Sequence, residues 1–234
     1  MRLDKFISKA TELSRKEAKK VLHASEITVN DQVVKDGSLH VDELNDEVMW
    51  AGETLSVATG NRYILLYKPE GFECTLKPKE YPIVTELIAV PELTSLRIAG
   101  RLDVDTTGAL ILSDDGSWLH RVTSPKHQHE KVYELTLADP MDEAAQANAV
   151  EKIAQGILLE GDHEKTKPAS LEFIDETHAR LILTEGKYHQ VKRMMAYFGN
   201  KVIELHRASI GGITLEGLDK GDSRFLTEDE VAQF

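Results

Sequence analysis

Cysteine is almost missing from this chain. With Cys74 alone among 234 residues, no disulfide can close within it. That usage fits a reducing compartment, and a cytoplasmic location is the expectation. Long apolar runs are missing too. None approaches the ~20 residues that a membrane-crossing helix needs, and the first twenty residues lack the unbroken apolar stretch of a secretory leader, so a soluble protein is expected. No Cys/His set has zinc spacing, and neither a phosphate-cradling glycine loop nor a dinucleotide fingerprint occurs. A Ser-His-Asp set with an elbow motif is likewise absent. Basic residues are few: 28 Lys+Arg stand against 40 Asp+Glu, a net charge of −12. Such a balance ordinarily argues against a nucleic-acid partner.

The distribution of charge reverses that argument. Residues 1–20 carry seven bases (Arg2, Lys5, Lys9, Arg15, Lys16, Lys19, Lys20) and three acids, whereas 21–60 carry one base and eight acids. A partner meets the local field, and the local field at the start of the chain is positive.

The 41% of hydrophobic residues suffices for a real core. Leu3, Phe6, Ile7 and Ala10 fall at i, i+3, i+4 and i+7, one apolar face of a helix. Ser14 with Glu17 three residues on predicts a capping box opening a second helix, with Ala18, Val21 and Leu22 inward and its basic residues outward. From Ile27 the period changes to two: 27/29, 33, 39/41, 48/50 and 55/57 predict short strands. A linker is expected at 58–62, which divides the chain into a module at 1–58 and a larger domain at 59–234. In that domain strands are expected at 63–67, 109–112, 132–137, 171–174, 180–183 and 202–205. Helices are expected at 84–89, at 142–155 with Gly156 as cap, and at 189–198. Strands outnumber helices without alternating with them, which predicts an α+β fold on a mainly antiparallel sheet.

The segment GRLDVDTTG at 100–108, set between apolar stretches, reads as a sharp loop presenting Arg101 and Asp103 at a cleft, with Thr106 and Thr107 near the carboxylate. The same residues fit an ordinary turn, in which aspartate bonds to its own backbone. The Asp114-Asp115-Gly116 run also reads as a turn. His120, His127 and His129, with Arg121, Lys126 and Lys131, read as an RNA-facing surface or a solvated loop. Cys74 reads as a passive, partly buried thiol.

The longer string GRLDVDTTGALILSDDG resembles the hallmark of the pseudouridine synthases, in the branch that modifies ribosomal RNA. LLYKPEG at 65–71, SPKHQHEKVYELTL at 124–137, EGKYHQVKRMM at 185–195 and LHRASIGGITL at 205–215 are further similar blocks. RLDKFIS, SRKEAKKVL and ITVNDQVV in the first 34 residues resemble the small RNA-binding fold also found in a small-subunit ribosomal protein. The similar blocks run in order along nearly the whole chain.

The resemblance implies a small N-terminal αL-type RNA-binding module followed by a mainly antiparallel-sheet synthase domain with a central cleft. It implies an isomerase that breaks the glycosidic bond of a uridine in small-subunit (16S) ribosomal RNA, turns the base and rejoins it through carbon 5, without cofactor or metal. Asp103 is the implied nucleophile or base, Lys192 the cation that favours its ionised form, and Tyr133 the platform under the uracil. Many relatives carry arginine where Lys192 stands, and lysine lacks the bidentate fork. Arg193 is the substitute partner to consider. Arg101 is implied to fill the space the base vacates. Arg2, Lys5, Arg15, Lys16, Lys19 and Lys20, with Arg193, are the expected contacts to RNA, positioning it without reading sequence. A 16S RNA or assembly intermediate is the expected partner, and the chain is expected to be a monomer. Three other readings stay open: a large-subunit synthase, a catalytically silent RNA-binding assembly factor, and a hydrolase joining Asp103 to the Asp114/Asp115 pair.

Overall fold

A computed structural model describes the chain apart from residues 12, 44, 57–59, 78–79, 91–92 and 125. It divides into two compact units, Met1–Asn61 and Arg62–Phe234. Residue 57 of the last alternating pair, and 58–59 of the expected linker, lie outside the described residues.

In the first unit, helices α1 (Leu3–Ala10) and α2 (Arg15–His23) pack on each other. Leu3, Phe6, Ile7, Ala18 and Leu22 are buried between them and the sheet, as the 3.6-residue period requires. Ser14 and Glu17 form the expected capping box. The antiparallel sheet runs β2 (Gln32–Val33), β1 (Ile27–Val29), β3 (Val48–Trp50), β4 (Glu53–Leu55).

The alternating pair 39/41 is not a strand, contrary to expectation. The carbonyls of Leu39 and Gly37 accept from the Leu3 and Asp4 N–H groups at 2.7 and 3.0 Å. That segment caps the start of α1, whose first N–H groups have no partner within the helix. Asp4 is a further surprise. It sits fully buried on the apolar face because the Arg2 and Arg15 guanidinium groups clasp its carboxylate at 3.1 and 2.8 Å.

The second unit is built on a nine-stranded sheet. Its path is β13 (Ser223–Phe225), β5 (Tyr63–Lys68), β7 (Thr106–Ser113), β11 (Val202–Ile210), β8 (Lys131–Leu137), β10 (His178–Leu183), β9 (Ser170–Phe173). β6 (Arg97–Ala99) pairs with β7, and β12 (Ile213–Thr214) with β11. Every pairing is antiparallel except β7 with β11. The expected sheet type therefore holds.

Both faces of the sheet are covered. Leu110 and Leu112 join one apolar cluster with Leu135 and Leu205, while Ala109 and Ile111 join another with Trp118. That is why β7 is buried along its whole length and shows no alternation. Helix α3 (Gly116–Thr123) packs on β6 and β7, α4 (Glu143–Gln155) on β9, and α5 (Gln190–Tyr197) on β11. A short α6 (Glu228–Ala232) closes the chain.

Helix α3 corrects the reading of 114–116 as a mere turn. Asp115 is its N-cap, accepting from the Ser117 and Trp118 N–H groups, both at 3.0 Å. Hydrogen bonds from the Ser117 hydroxyl and the Trp118 backbone, against some burial, pull its carboxyl down to about 2. Turn and cap draw on the same aspartate chemistry, so the three residues alone did not separate them.

Candidate active site

The second unit carries a cleft of about 390 Å³ on the sheet face from which Tyr133 and Arg207 project, roofed by the segment that leads into α5. Asp103 enters it from a loop at 100–105. β7 starts at Thr106, three residues earlier than expected, so the loop is shorter than the motif around it.

Lys68 holds that loop from below. It is wholly buried, and its ammonium donates to the carbonyls of Pro69, Val104 and Thr106 at 2.9, 3.3 and 2.8 Å. Burial pulls its pKa down, against the fields of Cys74, Asp105 and Asp103. The Gly71 N–H donates to the Val104 carbonyl, and the Leu102 N–H donates to the Cys74 sulfur at 3.3 Å. Leu102 points into the core, and Asp103 is left 30% exposed above it.

Two side chains from the other wall meet the Asp103 carboxylate. Lys192 Nζ lies 3.2 Å from Oδ2, and His189 Nε2 lies 3.1 Å from Oδ1. Lys192 also donates to both oxygens of Asp105, at 2.6 and 2.9 Å. Burial works to lower the Lys192 pKa, but the Asp105 hydrogen bond and the Asp103 charge outweigh it and hold the ammonium above its ordinary range. The Asp105 carboxyl is in turn held low by Lys192, despite the opposing effect of burial.

His189 reaches Asp103 because it caps α5 in the left-handed region, φ 47° and ψ 36°. Tyr188 stacks on its ring with centroids 3.7 Å apart and is itself 67% exposed. Tyr133 is buried, and its Cα partner across the sheet is Arg207. Arg207 Nη1 lies 3.4 Å from the Tyr133 hydroxyl. The Tyr133 hydroxyl therefore faces a guanidinium.

Of the residues expected to act at the cleft, Asp103, Tyr133, Lys192 and Arg101 all line it. Arg193 does not reach Asp103. Its guanidinium turns to Asp162 and the Glu160 carbonyl, both at 2.6 Å, so it is no substitute partner for the carboxylate. Asp114 is paired with Arg62 at 2.9 Å and Asp115 caps α3, so neither joins Asp103 in a hydrolase arrangement. His129 packs edge-on against Phe234, and Arg121 donates to the Phe234 carbonyl. His129 is half-buried there, whereas Arg121 stays exposed. Lys131 lines the cleft instead.

In the first unit Lys5, Lys16, Lys19 and Lys20 are exposed as expected. Arg2 and Arg15 are exposed but committed to Asp4.

Sequence reasoning missed His189, Lys68 and Arg207. All three lay inside recognised blocks without a role. Arg207 had one usable signal: in VIELHRASI it falls two positions after Leu205 on the apolar face of a strand, an odd place for a charge.

The cleft thus sets Asp103 between an ammonium and an imidazole, beside an aromatic ring and on a mainly antiparallel sheet. The chain belongs to the RNA pseudouridylate synthase family, which it matches over residues 62–197, and residues 1–48 match the S4 domain. It is 46% identical to Ribosomal small subunit pseudouridine synthase A of Pasteurella multocida over 235 residues, spanning 100% of this chain and 99% of that one. The proteins of the same name from Vibrio cholerae and Escherichia coli are 49% and 42% identical. They span 99% of this chain and 98% and 99% of their own lengths. A crystal structure of a pseudouridylate synthase superposes with a TM-score of 0.68 at 44% identity, covering 100% of this chain and 99% of that one.

Proposed function

We propose that this protein isomerises one uridine of small-subunit (16S) ribosomal RNA to pseudouridine during ribosome assembly, acting as a cytoplasmic monomer. The observation that carries the reading is the seat of Asp103. It is a carboxylate raised on a stapled loop, with Lys192 and His189 within 3.2 Å, at the mouth of a cleft of nucleoside size. The near full-length similarity to proteins named for the small ribosomal subunit favours that target over large-subunit RNA.

In this reading the target nucleotide leaves its stack and Tyr133 packs on the uracil. Asp103 acts at the sugar as nucleophile or base while the C1′–N1 bond breaks. The base turns, C5 bonds to C1′, the C5 proton leaves and N1 takes one up. Nothing is oxidised, so the side chains suffice. Lys192 supplies the counter-charge to Asp103, and Arg101 fills the space the base left. The exposed lysines of the first unit, Lys5, Lys16, Lys19 and Lys20, hold phosphates and orient the RNA. The silent assembly factor predicts no turnover at all.

Mapping pseudouridine in ribosomal RNA from cells with and without the protein tests the proposal. One 16S site should vanish on deletion and return with the wild-type chain but not with Asp103→Asn. Loss of a large-subunit site instead would move the target, and an unchanged map would remove the activity.

A further inference from the structure

One end of the cleft is not used by the steps above. Arg207 stands there, 2% exposed, on β11. Its Nε donates to the Ala109 carbonyl at 2.8 Å and its Nη1 approaches the Tyr133 hydroxyl, but its Nη2 is buried with no hydrogen-bond partner among the described residues. No carboxylate among those residues lies within ion-pair distance of it. Lys131, two residues before Tyr133 on the same face of β8, lines the same end. Its only hydrogen bond among the described residues goes to the His129 carbonyl at 3.0 Å.

Two cations therefore line the cleft, neither of them in an ion pair among the described residues. A buried charge without a partner carries a desolvation cost, so a fold that keeps one has a place for opposite charge. The backbone holds Arg207 there tightly. A Cβ on Gly108, its partner across the parallel pair, would come within 2.3 Å of the Arg207 carbonyl oxygen.

We propose that Arg207, with Lys131 beside it, is the electrostatic acceptor for the uracil as it departs, stabilising the negative charge that the base takes on when its bond to C1′ breaks. The inference rests on the isomerase reading above and deepens it. When C1′–N1 breaks heterolytically, the electron pair goes to the ring and spreads over N1, O2 and O4. The charge is consumed when C5 bonds to C1′ and the C5 proton is lost. The Arg207 guanidinium lies 6.0 Å from the centroid of the Tyr133 ring, so a base stacked on that tyrosine stands within the field of both cations. Donors aimed at charge that develops only during reaction are worth most where water is excluded.

The test compares two RNA substrates under single turnover at saturating enzyme, one with uridine at the target position and one with 5-fluorouridine. Loss of the N1-linked target nucleoside is read by digestion and chromatography in both cases, because fluorine stands where the C5 proton would be and the second substrate, once rejoined through C5, has no such proton to lose and does not end as pseudouridine. Fluorine withdraws electron density and makes the ring a better leaving anion that needs less help. Arg207→Met should slow the uridine substrate by about a hundredfold or more and the fluorinated one distinctly less. Lys131→Met, at a half-exposed position, should show the same ordering with smaller losses and decides the matter if Arg207→Met does not fold. Lys131→Arg should retain most of the rate.

An equal loss on both substrates overturns the proposal and leaves the two cations as packing. A loss confined to RNA affinity, with the saturated rate intact, also overturns it and assigns them to a phosphate. Failure of the wild-type chain to convert either substrate is a different failure, since it removes the isomerase reading itself.

Discussion

The two units each bury a full charge among apolar side chains, and they treat it in opposite ways. In the first unit the charge is Asp4, and two guanidinium groups reach in from the surface to clasp it. In the second it is Arg207, and one of its nitrogens has no hydrogen-bond partner among the described residues. Asp4 is closed: its neighbours satisfy it and hold it ionised, so its work is to fasten the start of α1 to α2. Arg207 keeps a buried nitrogen without a hydrogen-bond partner among the described residues, and the residue lines a cleft. Lys68 shows that the second unit can satisfy a buried cation, with three carbonyls, when only structure is at stake. A buried charge with complete partners marks a fastening, and one with incomplete partners marks a place where something binds.

The sharpest way to probe that contrast is at the acid the cleft is built around. Asp103→Asn keeps the size and hydrogen bonds of the side chain and removes its charge. Turnover by tritium release from [5-³H]uridine RNA should fall by at least about a thousandfold, while folding and RNA binding persist. Turnover within tenfold of wild type would make Asp103 a turn residue.

Next is its counter-ion. Lys192→Met should cut turnover by roughly a hundredfold, whereas Lys192→Arg keeps the charge and should stay within about tenfold. Equal losses in the two variants would mean that Lys192 packs rather than compensates charge. Because Arg193 is turned to Asp162, it should not rescue Lys192→Met.

A smaller effect separates the Arg207 and Lys131 end of the cleft from its mouth. Burial, Arg207 on β11 and Lys167 together bring the Lys131 ammonium down to about 8, with Glu185 opposing them. The charged form is present below that value and lost above it. The saturated rate should therefore fall as pH rises through about 8, and Lys131→Arg should flatten this limb. A limb unchanged by the arginine would assign it to another group.

The closed charge should behave as stability rather than rate. The Asp4 carboxyl works against burial but is held below its ordinary range by Arg2 and Arg15. Its contribution is complete above the unfolded aspartate value of about 3.9 and is lost as pH falls through the lower folded value. Asp4→Asn should cost about 1–2 kcal/mol at neutral pH, read from hydrogen exchange of the α1 amides, with the difference shrinking in acid. A difference that persists in acid would mean packing, not charge, is at stake.

The smallest effect belongs to the exposed row. Reversing Lys16, Lys19 and Lys20 to Glu should leave the saturated rate alone and weaken RNA binding. The salt slope of log affinity should drop by roughly 0.7–0.9 per lost phosphate contact. An unchanged slope would make this row a solvated face. Arg15 is left out of the set because its reversal would set an acid against Asp4.

Much of this architecture could be read in one dimension because its causes are local. The stripe of Leu3, Phe6 and Ile7, the Ser14–Glu17 box, the Gly156 cap and the alternation of Val132–Leu137 each depend on residues a few positions apart. The segment at 39–41 failed for the opposite reason. Its alternation was sound, yet the unpaired N–H groups at the head of α1 claimed its carbonyls. Helix α3 was hidden because the aspartate of a turn and the aspartate of a cap are the same residue.

The site divides along the same line. Chain order alone placed Asp103 in a loop, Tyr133 on a strand and Lys192 on a helix, since loop, alternation and helical period are local properties. Which neighbour of Lys192 would share its work was not a local property. Successive residues on a helix point about 100° apart, and the packing of α5 on β11 turned Lys192 to Asp103 and Arg193 to Asp162. His189 reached the carboxylate only through the left-handed turn that starts the helix. The open charge of Arg207 exists because β11 lies beside Gly108 on one edge and Tyr133 on the other, strands brought together from far along the chain. Composition and period determine which residues are buried and in what elements, because they act over one or two turns of backbone. Whether a buried charge finds its partner depends on the register between distant strands, and that only the folded sheet decides.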